Sequence, residues 1–163
     1  MNLPLTVRNG NLAGFLACAG LMAYALFAQY VLKLEPCPLC IFQRVAIIGL
    51  GVVFLVAALH NPGTIGRRIY AVALVLAAGA GAGVAGRHVW LQNLPPDKVP
   101  ACGPGLDFMM QTFPFLEVLD MVLSGSGECA NVDWSFLGLS MPTWVLISAV
   151  VLGVYGLWNN FRT

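Results

Sequence analysis

The sequence predicts an all-α membrane protein, a four transmembrane helix bundle with a long outer loop that carries a short amphipathic helix. Three observations lead there. Of the 163 residues, 59% are hydrophobic and only 9% are charged, whereas a soluble domain has about a quarter of its residues charged. Four stretches reach the roughly 20 mainly apolar residues that crossing a bilayer requires. All seven acidic residues fall in the two intervals that precede the second and fourth stretches. The length suits one domain, here a single integral membrane domain over 1–163. No basic run suggests a nucleic-acid partner.

The first span, 12–32, carries no charge. Its apolar stretch is too long for a removable signal peptide, and no small-residue cleavage site follows it. The second, about 41–59, has Arg44 near its start. The third, 69–89, has Arg87 and His88 near its end and contains Gly79, Gly81, Gly83 and Gly86, small residues that permit close helix packing in lipid. The fourth, 142–158, opens on Pro142, whose missing N–H costs nothing in a first turn. The outer loops are then about 33–40 and 90–141. Within the longer one, 113–123 reads as an amphipathic helix with Glu117 and Asp120 on its polar face. It is too short and too charged to span. It suits the membrane interface or a packing site on the loop's own residues.

Four spans put both termini on one side, together with the connection around Arg67 and Arg68. Arg8 and Arg162 lie there too, without any acid. Lysine and arginine near the spans favour the cytoplasm, so the termini are expected inside. Cys37, Cys40, Cys102 and Cys129 all fall on the opposite, acidic side. Cysteines gathered this way indicate an oxidising compartment, in a bacterium the periplasm. The predicted location is therefore the bacterial inner membrane, multi-pass. Cys18 sits alone within the first span as a small apolar side chain, and His60 marks a cytoplasmic helix end.

The chemistry concentrates in a few segments. Glu35-Pro36-Cys37-Pro38-Leu39-Cys40 is a Cys-x-x-Cys just before the second helix, a motif shared by redox and metal sites. Cys40 falls at the helix N-terminus, where the backbone dipole favours an anion, and Arg44 follows one turn later. Both features favour the reactive thiolate. The bland alternative is a structural disulfide, with Arg44 snorkelling to the interface. Cys102 lies in a turn-rich Pro-Ala-Cys-Gly-Pro-Gly segment and Cys129 follows Ser-Gly-Ser-Gly-Glu. Mobile, accessible segments suit exchange with a partner, and a plain stabilising disulfide fits the local sequence equally. Arg87, His88, Trp90 and Gln92 end the third helix, where such residues serve function or merely anchor a helix end.

The ordered combination resembles the DsbB family. It rests on Cys37-Pro38-Leu39-Cys40 with Arg44, on Gly86-Arg87-His88-Val89-Trp90-Leu91-Gln92, and on Ala101-Cys102-Gly103-Pro104. Ser126-Gly127-Glu128-Cys129-Ala130 and the stretch from Trp134 to Trp144 complete it. The resemblance implies a protein-dithiol:quinone oxidoreductase. Its partners would be a DsbA-type periplasmic thiol oxidase, a membrane quinone (ubiquinone or menaquinone) and the lipid bilayer. It implies Cys37, Cys40, Cys102 and Cys129 as catalytic. Cys102 and Cys129 would form the disulfide attacked by the partner, with Cys102 joining it. Exchange between Cys129 and Cys37 would carry electrons to Cys37–Cys40. Cys40, Arg44 and His88 would face the quinone, and no metal is assigned. Two other readings stand beside this one. A vitamin K epoxide reductase-like enzyme shares the cysteine inventory, although the Cys-x-x-Cys opening the second helix favours DsbB. A Cys₄ zinc module would need four gathered thiolates, and only one pair is closely spaced.

Overall fold

The computed structural model describes residues 6–103 and 105–162, so Pro104 of the expected motif lies outside the described residues. In chain order the elements are α1 Val7–Tyr30, α2 Pro38–His60 and α3 Thr64–Gln92, then a 3₁₀ turn at Pro96–Lys98. Three short helices follow, α4 Leu106–Thr112, α5 Phe115–Ser124 and α6 Gly127–Ala130, and a minimal hairpin, β1 Ser135–Phe136 with β2 Leu139–Ser140. α7, Met141–Phe161, ends the chain. Among the described residues, α1, α2, α3 and α7 are long and apolar enough to cross a membrane. The protein is a multi-pass four-helix membrane bundle.

Capping explains where the helices depart from the apolar stretches. α1 starts earlier because Thr6 Oγ1 accepts the Asn9 N–H at 3.2 Å, satisfying one orphan donor of the first turn. α2 starts at Pro38, with Cys37 as N-cap and its sulfur accepting the Cys40 N–H at 3.4 Å. α3 extends beyond 69–89 at both ends, so Arg67 and Arg68, expected in a connection, stand in its first turns. α5 runs from Pro114, its N-cap, to Gly125, whose φ of +88° stops it. The hairpin turns through Leu137 and Gly138, both at positive φ, as a two-residue hairpin demands.

α1 packs on α2, α2 on α3 and α3 on α7, and a narrower α7–α1 contact closes the ring. The bundle core is built from Cys18, Leu50, Phe54, Leu74, Ala78 and Leu152. Of the α3 glycines expected to pack closely, only Gly81 meets a neighbouring helix, at Ala46 and Ala149; Gly79, Gly83 and Gly86 face open space. Their spacing puts those three on one helix face, and that face turns away from the bundle. The close approaches lie elsewhere: a Cβ at Gly14 would stand 2.6 Å from the Phe54 ring, and one at Gly153 2.7 Å from Ala78. A second core at the cysteine end joins Leu39 and Leu91 to Met109, Val118, Val122 and Cys129. The amphipathic helix α5 thus docks its valines on the bundle itself, leaving Phe115 and Leu116 exposed.

Candidate functional site

Four elements converge at the cysteine end. Capping α2 fixes Cys37 at the mouth of the bundle, its thiol 3.1 Å from the Cys40 sulfur. α3 brings in His88, which is buried with 2% exposure. The His88 Nε2 lies 3.0 Å from the Cys129 carbonyl oxygen and 3.8 Å from the Cys37 sulfur. Its Nδ1 lies 2.9 Å from the Gln43 side-chain nitrogen. Gln43 donates to Nδ1, and the Nε2–H donates to the carbonyl. α6 places Cys129 inward, so that its sulfur, the Cys37 sulfur and the His88 Nε2 lie within 4.8 Å of one another.

Cys129 is buried at 1% exposure, against the accessible position its Ser-Gly-Ser-Gly approach implied. Docking of α5 on Leu91 and Leu39 carries the segment inward with it. A hydrogen bond to Cys37 pushes the Cys129 thiol well above the usual range, burial adds to this, and the Ser126 hydroxyl opposes it. Cys102, by contrast, is exposed. The two loop segments touch through Gly127, whose N–H donates to the Ala101 carbonyl at 3.2 Å. Only glycine fits there, because a Cβ would stand 2.8 Å from the Pro100 carbonyl and 3.2 Å from the Cys102 sulfur. All five cysteines are free thiols in this structure, with Cys129 facing Cys37 and Cys102 left at the surface.

Beside the sulfurs lies a cavity of about 680 Å³. Cys37, Cys40, Gln43, Arg44 and His88 form one wall of it. The Arg44 guanidinium is oriented from α1: it donates to Gln29 Oε1 and, at 3.3 Å, to the Ala25 carbonyl. Across the cavity stand Tyr24, Trp134, Phe136 and Trp144. Tyr24 meets Trp134 at 5.9 Å, Trp134 meets Phe136 at 6.2 Å, and the Trp144 indole N–H donates to the Phe136 carbonyl. Its volume falls within the roughly 300–1,000 Å³ of small-molecule sites.

The structure therefore brings together Cys37, Cys40, Cys129, Arg44 and His88, and keeps Cys102 one short segment away. Cys18 is remote, in the bundle core. Gln43 and Gln29, which orient His88 and Arg44, were not singled out by sequence; uncharged polar residues within apolar spans were the available signal. Arg87 turns out to be a latch, donating to the Leu123 and Ser124 carbonyls at 2.9 Å each and lying over the Trp90 ring. The four cysteines are not gathered as a Cys₄ site would need, since Cys102 is exposed apart from the buried cluster.

Adjacent thiols beside an apolar cavity at the end of a membrane bundle define a class, the multi-pass membrane protein built for dithiol–disulfide chemistry. Comparison with known proteins makes this specific. Residues 7–159 match the family described as Disulfide bond formation protein DsbB. A relative named Disulfide bond formation protein B from Nitrosococcus oceani is 54% identical over 161 residues, covering 99% of this chain and 95% of the relative. One of the same name from Methylococcus capsulatus is 52% identical, covering 99% of this chain and all of its own length. The chain belongs to the DsbB family and is a membrane oxidoreductase of disulfide bond formation, which sets the vitamin K epoxide reductase-like reading aside.

Proposed function

We propose that the protein reoxidises a DsbA-type thiol oxidase in the bacterial periplasm and passes the two electrons to a membrane quinone, ubiquinone or menaquinone. The observation that carries this reading is the position of Cys37. It stands 3.1 Å from the Cys40 sulfur and within 4.8 Å of the Cys129 sulfur, while Cys40 opens on the cavity that also holds Arg44 and His88. A sulfur set between two neighbours can exchange with either.

The reaction starts from two disulfides, Cys102–Cys129 and Cys37–Cys40. A partner thiolate attacks the exposed Cys102, forming a mixed disulfide and releasing Cys129 as a thiolate. Burial disfavours a thiolate there, and Cys37 is the sulfur beside it, so Cys129 attacks Cys37. That attack breaks Cys37–Cys40 and leaves the negative charge on Cys40, in the first turn of α2, where the helix dipole favours an anion. The partner's second thiol then closes the partner disulfide and frees Cys102. Cys102 takes Cys129 back from Cys37, so the Cys37/Cys40 dithiol holds the two electrons. A bound quinone would supply a two-electron, two-proton acceptor, and Cys37 and Cys40 give up both to it as their disulfide closes again. Arg44 offers guanidinium donors toward a ring oxygen, and buried His88 is the group on that wall able to pass a proton.

The same reading sets the orientation. Arg8, Arg67, Arg68 and Arg162 mark the cytoplasmic end, and the four outer cysteines mark the periplasmic end. An impermeant thiol reagent applied to reduced whole cells should label Cys102; protection of Cys102 would reverse the topology. The decisive assay mixes the purified protein in detergent with a reduced DsbA-type protein and a ubiquinone or menaquinone analogue. One quinol should form for each partner disulfide made. Partner oxidation that does not depend on quinone would overturn the proposal.

A further inference from the structure

We propose that the fully reduced protein binds one zinc ion through Cys37, Cys40, Cys129 and His88, and that the ion locks it in the dithiol state. The inference rests on where the donor atoms stand, not on the quinone reading. The sulfurs of Cys37 and Cys129 and the Nε2 of His88 already lie within 4.8 Å of one another. The Cys40 sulfur is 3.1 Å from that of Cys37 but stands outside this group, and it completes the donor set by turning its side chain as the metal binds. Three thiols and an imidazole form the Cys₃His donor set of tetrahedral zinc, in which a Cys-x-x-Cys supplies two adjacent ligands. Bond lengths of about 2.3 Å to sulfur and 2.0–2.1 Å to nitrogen set ligand atoms close to the 3.8 Å now separating Cys37 from His88.

The surroundings supply what a zinc site needs beyond its ligands. A zinc-bound histidine is normally oriented by a hydrogen bond at its other ring nitrogen, and Gln43 occupies that place, 2.9 Å from Nδ1. Metal binding at Nε2 moves the imidazole proton to Nδ1, and a rotated Gln43 amide accepts it, since the amide carries both a donor and an acceptor. The Nε2 contact to the Cys129 carbonyl is exchanged for the metal. The balance is simple: the three sulfurs bind as thiolates, any thiol protons leave to solvent, and no electrons move. Entry is from the cavity, whose wall includes Cys37, Cys40 and His88. Thiolates engaged by zinc are withheld from exchange, so the ion inhibits turnover by trapping the reduced protein. Cys102 and Cys18 take no part.

The test uses the full-length protein in detergent, reduced with a phosphine and freed of reductant without oxygen. Zinc is titrated against a chromophoric chelator, and Co²⁺ is added separately as a spectroscopic probe. The expected result is one zinc per chain and the tetrahedral cobalt bands of a three-thiolate site. Oxidised protein should bind none. Cys129→Ser and His88→Gln should each weaken zinc binding by more than the about 10–100-fold that an outer-shell partner costs, with helical content checked by circular dichroism. Cys102→Ser and Cys18→Ala should bind as the wild type does. Absence of stoichiometric zinc, a two-thiolate cobalt spectrum in the wild type, unchanged affinity in Cys129→Ser or His88→Gln, or lost binding in Cys102→Ser would each overturn the site. The cobalt spectrum decides the point in the wild type even if a variant fails to fold.

Discussion

At the end of the bundle that carries the termini, buried Asn11, Asn159 and Asn160 bridge α1 and α7. Asn160 donates to Asn11 at 2.9 Å, Asn159 donates to it at 3.1 Å, and Tyr155 adds a bond to the Gly10 carbonyl at 3.0 Å. At the cysteine end the same helices leave a cavity of about 680 Å³, and the polar side chains there hold reactive groups in place. Helices in lipid gain little from hydrophobic burial against one another and associate through close packing and hydrogen bonds. The contrast therefore separates two tasks. One half spends its small residues and amides on helix association, which lets the other half stay open and keep its sulfurs within reach of one another.

Breaking the cysteine end should destroy activity without loosening the bundle. The largest effect is expected for Cys37→Ser. Both Cys40 and Cys129 stand beside this one sulfur, so its loss cuts the proposed relay on both sides. Quinone-dependent turnover should fall below detection while the thermal midpoint stays at the wild-type value. A coincident fall in the midpoint would show that the sulfur cluster helps hold the helices, and the contrast between the halves would fail.

Arg44→Ala should rank next. Removing a preorganised donor commonly costs about 10²–10³ in rate, and here it also leaves Gln29 without its guanidinium partner. Turnover should slow and the apparent KM for quinone should rise. A single round of partner oxidation from preformed disulfides should persist, because Arg44 stands on the cavity side of Cys40. Normal quinone kinetics with a failed partner step would refute this role.

How much of this was legible in sequence follows the same division. The four spans were readable because twenty apolar residues are a strong, local signal, and Cys37, Cys40 and Arg44 because a helix start fixes their spacing. Cap residues such as Thr6 and Cys37 moved the boundaries. The α3 glycines were visible, but which face they present depends on the neighbouring helices, so Gly81 packs while Gly79 and Gly83 do not. Burial of Cys129 was hidden for a similar reason: its approach is Ser-Gly-rich, and only the docking of α5 through Val118 and Val122 draws it in. Gln43 and the aromatic wall from Trp134 to Trp144 gained meaning only once distant segments met.

The helix-packing half gives a smaller and opposite signature. In Gly14→Val the new side chain would enter the Phe54 ring, which lies 2.6 Å from the Cβ position. Overpacking of this kind costs about 1–3 kcal/mol. The melting midpoint in detergent should fall, and activity per folded molecule at low temperature should be kept. Intact stability with impaired quinone reduction would mean that the tight half transmits its packing to the cavity.

The smallest effect is expected at Cys18, which sharpens the comparison because the side chain is the same one to which exchange chemistry is assigned under the proposed function. Cys18 is 2% exposed within the cluster of Leu50, Phe54 and Leu74, and a Cβ at Gly51 would meet its Cβ at 3.1 Å. It thus fills volume between α1 and α2, where a thiol acts as a small apolar group. Replacing it with alanine removes one sulfur atom and nothing from the exchange relay. The packing loss should resemble other single-group core truncations, about 0.5–1.5 kcal/mol, read as a slight drop in melting midpoint. Turnover with the partner dithiol and with quinone should match the wild type, as should the zinc stoichiometry of the reduced protein. A severe loss of turnover in well-folded Cys18→Ala would place a working thiol in the packing half, and the division between the two ends would no longer hold.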